Sequence, residues 1–275
     1  MSMRINSNVA SLSAQRYLAK NQRVVEDQYK ALSSGTRLSS PRTDAAGFAI
    51  SEIIRGQVAG SKQAKTNAQS AVAMIQTAEG SLNEQNNILV RMRELAVSSA
   101  SDTVGDQERE FINNEFELLI QEFDRIAKSA RFGSKELLTG SGEEFSFQVG
   151  PNKGEENVIK FTLEADTQAD TIGIDGLSIL DQDDALDALD VIDEGVMDVA
   201  GIRSQLGAVQ SRFDFAMDNL DVQRQNLEEA RSLIADVDIA EATSELARAN
   251  ILQEAGTSVL VQANQWPTRM LKLIG

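Results

Sequence analysis

The strongest regularity in the chain is an apolar position that returns every seventh residue in its C-terminal half. Ile192, Val199, Leu206, Phe213, Leu220, Leu227 and Ile234 make one row, and Ile202, Val209, Ala216, Ala230 and Val237 make a second row between them. Gly195 and Gln223 interrupt that second row. Two sustained apolar rows of this spacing mark coiled-coil-type packing. They predict one helix from about Asp183 to Asp236, roughly 80 Å long at about 1.5 Å per residue.

A matching row lies upstream. Ala68, Ile75, Leu82, Leu89 and Ala96 share the seven-residue spacing, with Ala64, Ala71, Ala78 and Met92 between them. A third helix, from about Val104 to Ala130, collects Ile112, Phe116, Leu119, Phe123, Ile126 and Ala130 on one face. Three such faces can bury one another as a bundle. The two ends also read as helices, with leaner stripes. Ile5, Leu12 and Ala19 form one at the N-terminus, and Leu246 to Val261 is rich in Ala, Leu, Ile and Val at the other end. Helices this lean are marginal alone in water. The ends require each other, a partner, or further copies.

The pattern changes period in two places. Phe145-Ser-Phe-Gln-Val alternates, a Gly150-Pro-Asn-Lys-Gly turn follows, and Val158-Ile-Lys-Phe-Thr-Leu completes a hairpin. Asp166 to Asp184 reads as a polar connection, with a short strand expected at Thr171–Ile174. Residues 33–46, with Gly35 and Pro41 inside them and Gly47 directly after, break the helical rows and read as an extended connector, with a return segment around Ala235-Asp-Val-Asp-Ile. Pro41, Pro151 and Pro267 all fall outside the long stripes, as suits a residue that disrupts helix interiors.

Composition narrows the chemistry. The chain of 275 residues contains no cysteine and no histidine, which excludes disulfides, thiolate catalysis, Ser-His-Asp triads and His-based zinc motifs. No phosphate-binding loop or dinucleotide fingerprint occurs. The acidic run from Asp181 lacks the glycine and terminal glutamate of a calcium loop, and reads instead as a helix N-terminus favoured by the helix dipole. We therefore expect no enzyme activity, no catalytic or metal-binding residue and no cofactor. Net charge is −16, with sixteen acids between residues 140 and 200; nucleic-acid binding, which needs a concentrated basic surface, is not expected. No apolar run approaches the roughly 18 residues of a membrane span, and the N-terminus lacks a cleavable signal peptide.

Several motifs together point to a family. Ala31-Leu-Ser-Ser-Gly-Thr-Arg-Leu-Ser-Ser with Asp44-Ala-Ala-Gly, Gln76-Thr-Ala-Glu-Gly-Ser-Leu-Asn-Glu, Arg91-Met-Arg-Glu-Leu-Ala-Val, Arg203-Ser-Gln-Leu-Gly-Ala-Val-Gln-Ser-Arg-Phe and Ile251-Leu-Gln-Glu-Ala-Gly-Thr-Ser-Val-Leu-Val-Gln-Ala-Asn-Gln closely resemble bacterial flagellin. The resemblance covers about the first 150 and last 90 residues, and the short centre implies a form without large outer domains.

The expected fold class is mainly α: an elongated coiled-coil-like bundle with a small β-hairpin and paired terminal helices. The resemblance implies an inner core domain from residues 1–44 and 237–275, and an outer core domain from residues 45–180 with the long helix 181–236. It implies a subunit that self-assembles into the extracellular flagellar filament for motility. Such a subunit is exported unfolded through the flagellar channel, which replaces the signal peptide. Ile5, Val9, Leu12, Leu252, Val259, Leu260 and Val261 would form the inner seam between copies. Arg91, Leu95 and Glu115 would lie at an outer-core contact that is also a patch for Toll-like receptor 5. The other implied partners are the flagellar cap, hook–filament junction proteins and an export chaperone at the C-terminal helix. Two alternatives remain at this point: a hook–filament junction protein, and a secreted amphipathic-helix protein acting on membranes. The ends lack the dense basic face of the latter.

Overall fold

The computed structural model describes residues 8–163 and 165–274. Six helices and four short strands follow in the order α1 (Val9–Ser34), α2 (Ala45–Ser99), α3 (Asp106–Ser129), β1 (Arg131–Phe132), β2 (Lys135–Glu136), β3 (Glu144–Gln148), β4 (Val158–Thr162), α4 (Ala169–Ile172), α5 (Gln182–Ala235) and α6 (Ile239–Ile274). They form two compact units, one of residues 57–225 and one that joins both chain ends, residues 1–56 and 226–275. The mainly helical class and the hairpin are as the periodicity predicts.

In the unit of residues 57–225, the heptad rows are the core. Ile192, Val199, Leu206 and Phe213 of α5 are buried against a fully buried Ala68, Ile75, Leu82, Leu89 and Ala96 on α2. Each large aliphatic so buried contributes about 1.5–3 kcal/mol relative to exposure. The helix directions follow from three ion pairs. As the α2 position falls from Arg93 to Glu79 to Lys65, its α5 partner rises from Asp193 to Arg203 to Asp221, at 2.7, 3.7 and 2.5 Å. The two helices are therefore antiparallel.

Helix α3 folds back on α2. Arg109 Nε donates to Ser99 O at 3.0 Å, and Glu108 Oε2 accepts from the Gly105 amide at 2.8 Å to fix the turn between them. Both α3 and α5 oppose α2, so α3 and α5 run parallel. The buried face of α3 is Phe116, Ile120, Phe123 and Ala127, while Ile112 and Leu119 are half-buried. The buried face thus includes Ile120, which the sequence expectation left out.

The hairpin pairs Phe145 with Phe161 and Phe147 with Ile159. Phe147 and Phe161 meet Phe213 edge-on at 5.7 and 6.2 Å, which clamps the hairpin onto α5 through favourable aromatic geometry. A strand was expected at Thr171–Ile174, but the chain there makes the one-turn helix α4, whose Ala169 and Ile172 are buried. The Gly173 at its end, with φ 80°, supplies the left-handed cap that a single turn needs. The tiny β1–β2 pair has no alternation long enough to be visible in the sequence.

In the unit made from the chain ends, α1 and α6 pair antiparallel. Asn8 Nδ2 donates to Ala263 O at 2.8 Å and Ser11 Oγ donates to Asn264 Oδ1 at 2.7 Å. Further along, a Cβ on Gly256 would lie 3.1 Å from Leu18 Cδ1, so a glycine is what allows this close approach.

Candidate functional site

No cluster of three or more potential metal-ligating side chains occurs among the described residues, and none of the searched helices is long and apolar enough to cross a membrane. What the structure offers instead is surface, of three kinds.

The first is the helix pair α1–α6, whose fully buried side chains are small and whose large aliphatics are half-buried or exposed. Ser11, Ala31, Ala242, Ala249 and Ala263 are buried, whereas Val9 is 65% exposed, Leu12 57%, Leu252 48%, Val259 57% and Val261 58%. Leu260 is half-buried, and Ile5 lies outside the described residues. An ordinary helical hairpin does the reverse, since burying large aliphatics is what stabilises it. Alanine and serine let the two backbones come close, and the aliphatic surface is left facing outward.

The second is the connector. Helix α1 stops at Gly35, whose φ of 72° is left-handed. The chain then makes a one-pair antiparallel ladder with the return segment: Arg37 N donates to Ala235 O at 2.8 Å, Val237 N donates to Gly35 O at 3.1 Å, and Thr36 bridges Asp236. The Arg37 side chain adds a bond from Nε to Ile234 O at 2.8 Å, capping the last turn of α5 with a cation. Two aspartates restart the helices. Asp44 Oδ1 accepts from the Ala46 and Gly47 amides, and Asp238 Oδ1 accepts from Ala240 and Glu241. Gly47 is buried, and a Cβ there would sit 2.4 Å from Asp44 Oδ2; Pro41 is exposed in a turn. Sequence reading singled out Gly35, Pro41 and Gly47 but passed over Arg37 and the two capping aspartates. An Asp directly before a helical run was the available signal.

The third lies on α2 and α3. Arg91 and Glu115 are exposed and joined by two hydrogen bonds, from Nε at 3.0 Å and Nη2 at 2.8 Å, and Glu94 takes a third at 2.8 Å. The bonds to Glu115, then Glu94, hold the Arg91 guanidinium pKa above its ordinary value. Leu95 is only 6% exposed and belongs to the core beneath them. At this surface the structure brings Arg91 and Glu115 together and places Leu95 inside.

Long antiparallel helices, a hairpin clamp and outward-facing aliphatics define a bundled-helix protein. Comparison with known proteins gives the family. Residues 5–143 match the bacterial flagellin N-terminal helical region and residues 189–274 match the bacterial flagellin C-terminal helical region. A flagellin of Halalkalibacterium halodurans is 40% identical over 272 residues, spanning 99% of this chain and all of that one. The chain belongs to the bacterial flagellin family.

Two solved structures share the fold. The crystal structure of Bacillus cereus flagellin matches with TM-score 0.51 and 23% identity, covering 56% of this chain and 88% of that one. A putative flagellar hook-associated protein from Vibrio parahaemolyticus matches with TM-score 0.60 and 13% identity, covering 70% and 99%. The fold is thus shared by a flagellin and a putative hook-associated protein, and the full-length sequence match is what shows the family.

Proposed function

We propose that this flagellin is a structural subunit of an extracellular flagellar filament serving motility, exported unfolded and assembled outside the cell. The observation that carries the reading is the outward aliphatic surface of α1 and α6. Val9, Leu12, Leu252, Val259 and Val261 are costly facing water and gain when other copies cover them. Residues 1–44 and 237–275 then form the inner core of the tube, with Leu260 and Ile5 in the same seam, and residues 45–236 form its outer core. Gly35, Pro41 and Gly47 shape the connector. The absence of cysteine suits a chain that travels unfolded.

The remaining roles follow from the same reading. Helix α6, apolar until it is covered, is the segment an export chaperone would hold. The cap and hook–filament junction proteins meet the same terminal helices. The exposed Arg91–Glu115 pair is the contact for a neighbouring subunit and for Toll-like receptor 5, with Leu95 holding α2 beneath it. The fold likeness to a hook-associated protein favours a junction role as the second reading. Purified chain, nucleated with filament fragments and followed by electron microscopy, decides between them. Long filaments support the subunit role, whereas binding to filament ends without elongation supports the junction.

A further inference from the structure

The inner row of α2 that runs through Ala64, Ala71, Ala78 and Met92 has two polar members, Gln85 and Ser99, and both are fully buried. A buried polar side chain is costly unless it is hydrogen-bonded. Each of these finds a partner on the same piece of chain, the connection between the hairpin and α5. Gln85 Nε2 donates to Thr167 O at 3.2 Å, and Ser99 Oγ donates to Ile179 O at 2.5 Å. A third buried polar residue, Asn113 of α3, accepts from the Ile179 amide through Oδ1 at 2.9 Å. Gln85 and Ser99 lie two heptads apart, roughly 21 Å along the helix, and they hold the two ends of residues 167–179.

Between those ends the segment lends side chains to the core. Ala169, Ile172 and Ile174 are buried, and Ile172 fills the space beside Gly195 of α5. Its backbone hydrogen bonds stay within the segment, in and around α4, apart from Thr167 N to Leu138 O at 3.1 Å. The long helices, by contrast, share a core of their own in Leu82, Leu89, Phe116, Phe123, Ile192 and Val199. At the Thr167 end the closed arrangement leaves two buried atoms unpaired, Gln85 Oε1 and Thr167 Oγ1. Each carries a desolvation penalty that opening relieves, because both atoms then reach water.

We propose that residues 167–179 form a strap that opens and closes as one unit, latched by Gln85, Ser99 and Asn113, while α2, α3 and α5 stay folded. A segment tied to its neighbours by a few side-chain bonds, with no backbone ladder to the helices, is a separate cooperative unit. It is less stable than the helices it covers, and it is the first part of the unit of residues 57–225 to open. Its release costs the strap's own contacts and leaves the heptad rows in place. The strap lies wholly inside that unit, so the inference does not depend on the filament reading.

The chain has no cysteine of its own, so single cysteines in the full chain report opening by thiol labelling under native conditions. Ile174→Cys puts the probe on the strap and Ile75→Cys puts it on α2, where the parent side chains are 0% and 1% exposed. We expect the strap cysteine to label at least about tenfold faster, at a rate that low denaturant hardly changes, while labelling on α2 rises steeply with denaturant. Ser99→Ala should speed the strap cysteine by roughly tenfold, since it leaves Ile179 O unpaired. Phe213→Leu, which weakens the bundle away from the strap, should speed the α2 cysteine and leave the strap cysteine unchanged. Equal rates with equal denaturant dependence at the two cysteines overturn the strap, and a strap rate unmoved by Ser99→Ala overturns the latch. Should a cysteine disturb folding, amide exchange in the unmodified chain makes the same comparison. Ile174, whose N–H donates to Ala169 O at 3.0 Å, should exchange faster than Ile75, and equal protection of the two overturns the proposal.

Discussion

A Cβ built on Gly195 of α5 would lie 2.7 Å from Ile172 Cγ2. This contact explains one of the two breaks in the α5 apolar row: the position where the heptad calls for a large side chain is filled by Ile172 of α4 instead. Gly195→Ala should therefore destabilise the unit of residues 57–225. Overpacking of about 1–3 kcal/mol outweighs the roughly 1 kcal/mol gained in helix propensity. Gly207→Ala, where a Cβ meets nothing within 4 Å, should stabilise by up to about 1 kcal/mol. Denaturant unfolding of the two variants should show opposite signs. Two stabilisations would mean that α4 is not packed on α5 as described.

The same pair of helices shows what the sequence could reveal. The α5 row from Ile192 to Phe213 was legible because a long helix buried on one face must repeat its apolar residues at its own period. Helix α4 was not, since four residues of Ala-Asp-Thr-Ile have no period, and the β-branched Thr171 and Ile172 favour a strand. Gln85 was hidden for a different reason. It occupies a core position of α2 and is fully buried, with Nε2 donating to Phe123 O and Thr167 O at 3.2 Å each. Partners so far apart in sequence become visible only once the chain has folded. At the surface, the family resemblance implied Arg91, Leu95 and Glu115 together, while the burial of Leu95 depends on how α2 packs in the core.

Arg37 holds the connector ladder in the unit made from the chain ends. Arg37→Ala removes the Nε bond to Ile234 O, and an exposed charged hydrogen bond is worth about 1 kcal/mol. Amide exchange at Val237, whose N–H pairs with Gly35 O, should then accelerate by roughly five- to tenfold. Exchange at core amides of α2, such as Leu82, should stay unchanged. Equal protection of Val237 in both chains would show that the backbone ladder stands without its side-chain clamp.

Acid should weaken the unit of residues 57–225 through its cross-helix ion pairs. The hydrogen bond from Arg93 holds Asp193 below the usual carboxylate pKa, and the one from Lys65 does the same for Asp221. In the unfolded chain both acids take up protons at higher pH than in the folded one. Their contribution is therefore present above the ordinary carboxylate pKa of about 3.9 and is lost as pH falls through the lower folded values. The denaturation midpoint should drop as pH falls below about 5, less steeply for Asp193→Asn with Asp221→Asn, and less steeply in high salt. An identical pH slope in the double variant would remove these pairs from the explanation.

The two apolar surfaces of α5 and α6 should respond oppositely to the same change. Leu206 is 3% exposed in the α5 core row, so Leu206→Asp buries an unpaired carboxylate and should cost at least about 3–5 kcal/mol, unfolding the bundle. Val259 is 57% exposed on α6. In the free chain a carboxylate there stays in water, and helical content by circular dichroism should match the unmodified protein. In the polymer, the proposed seam would close over it. An unpaired charge in such a seam costs several kcal/mol at every subunit contact, and each 1.4 kcal/mol weakens an association about tenfold. Val259→Asp should therefore fold normally and yield no filaments by electron microscopy. Should normal filaments form, Val259 faces solvent in the polymer, and the outward aliphatic surface of α6 is not the seam.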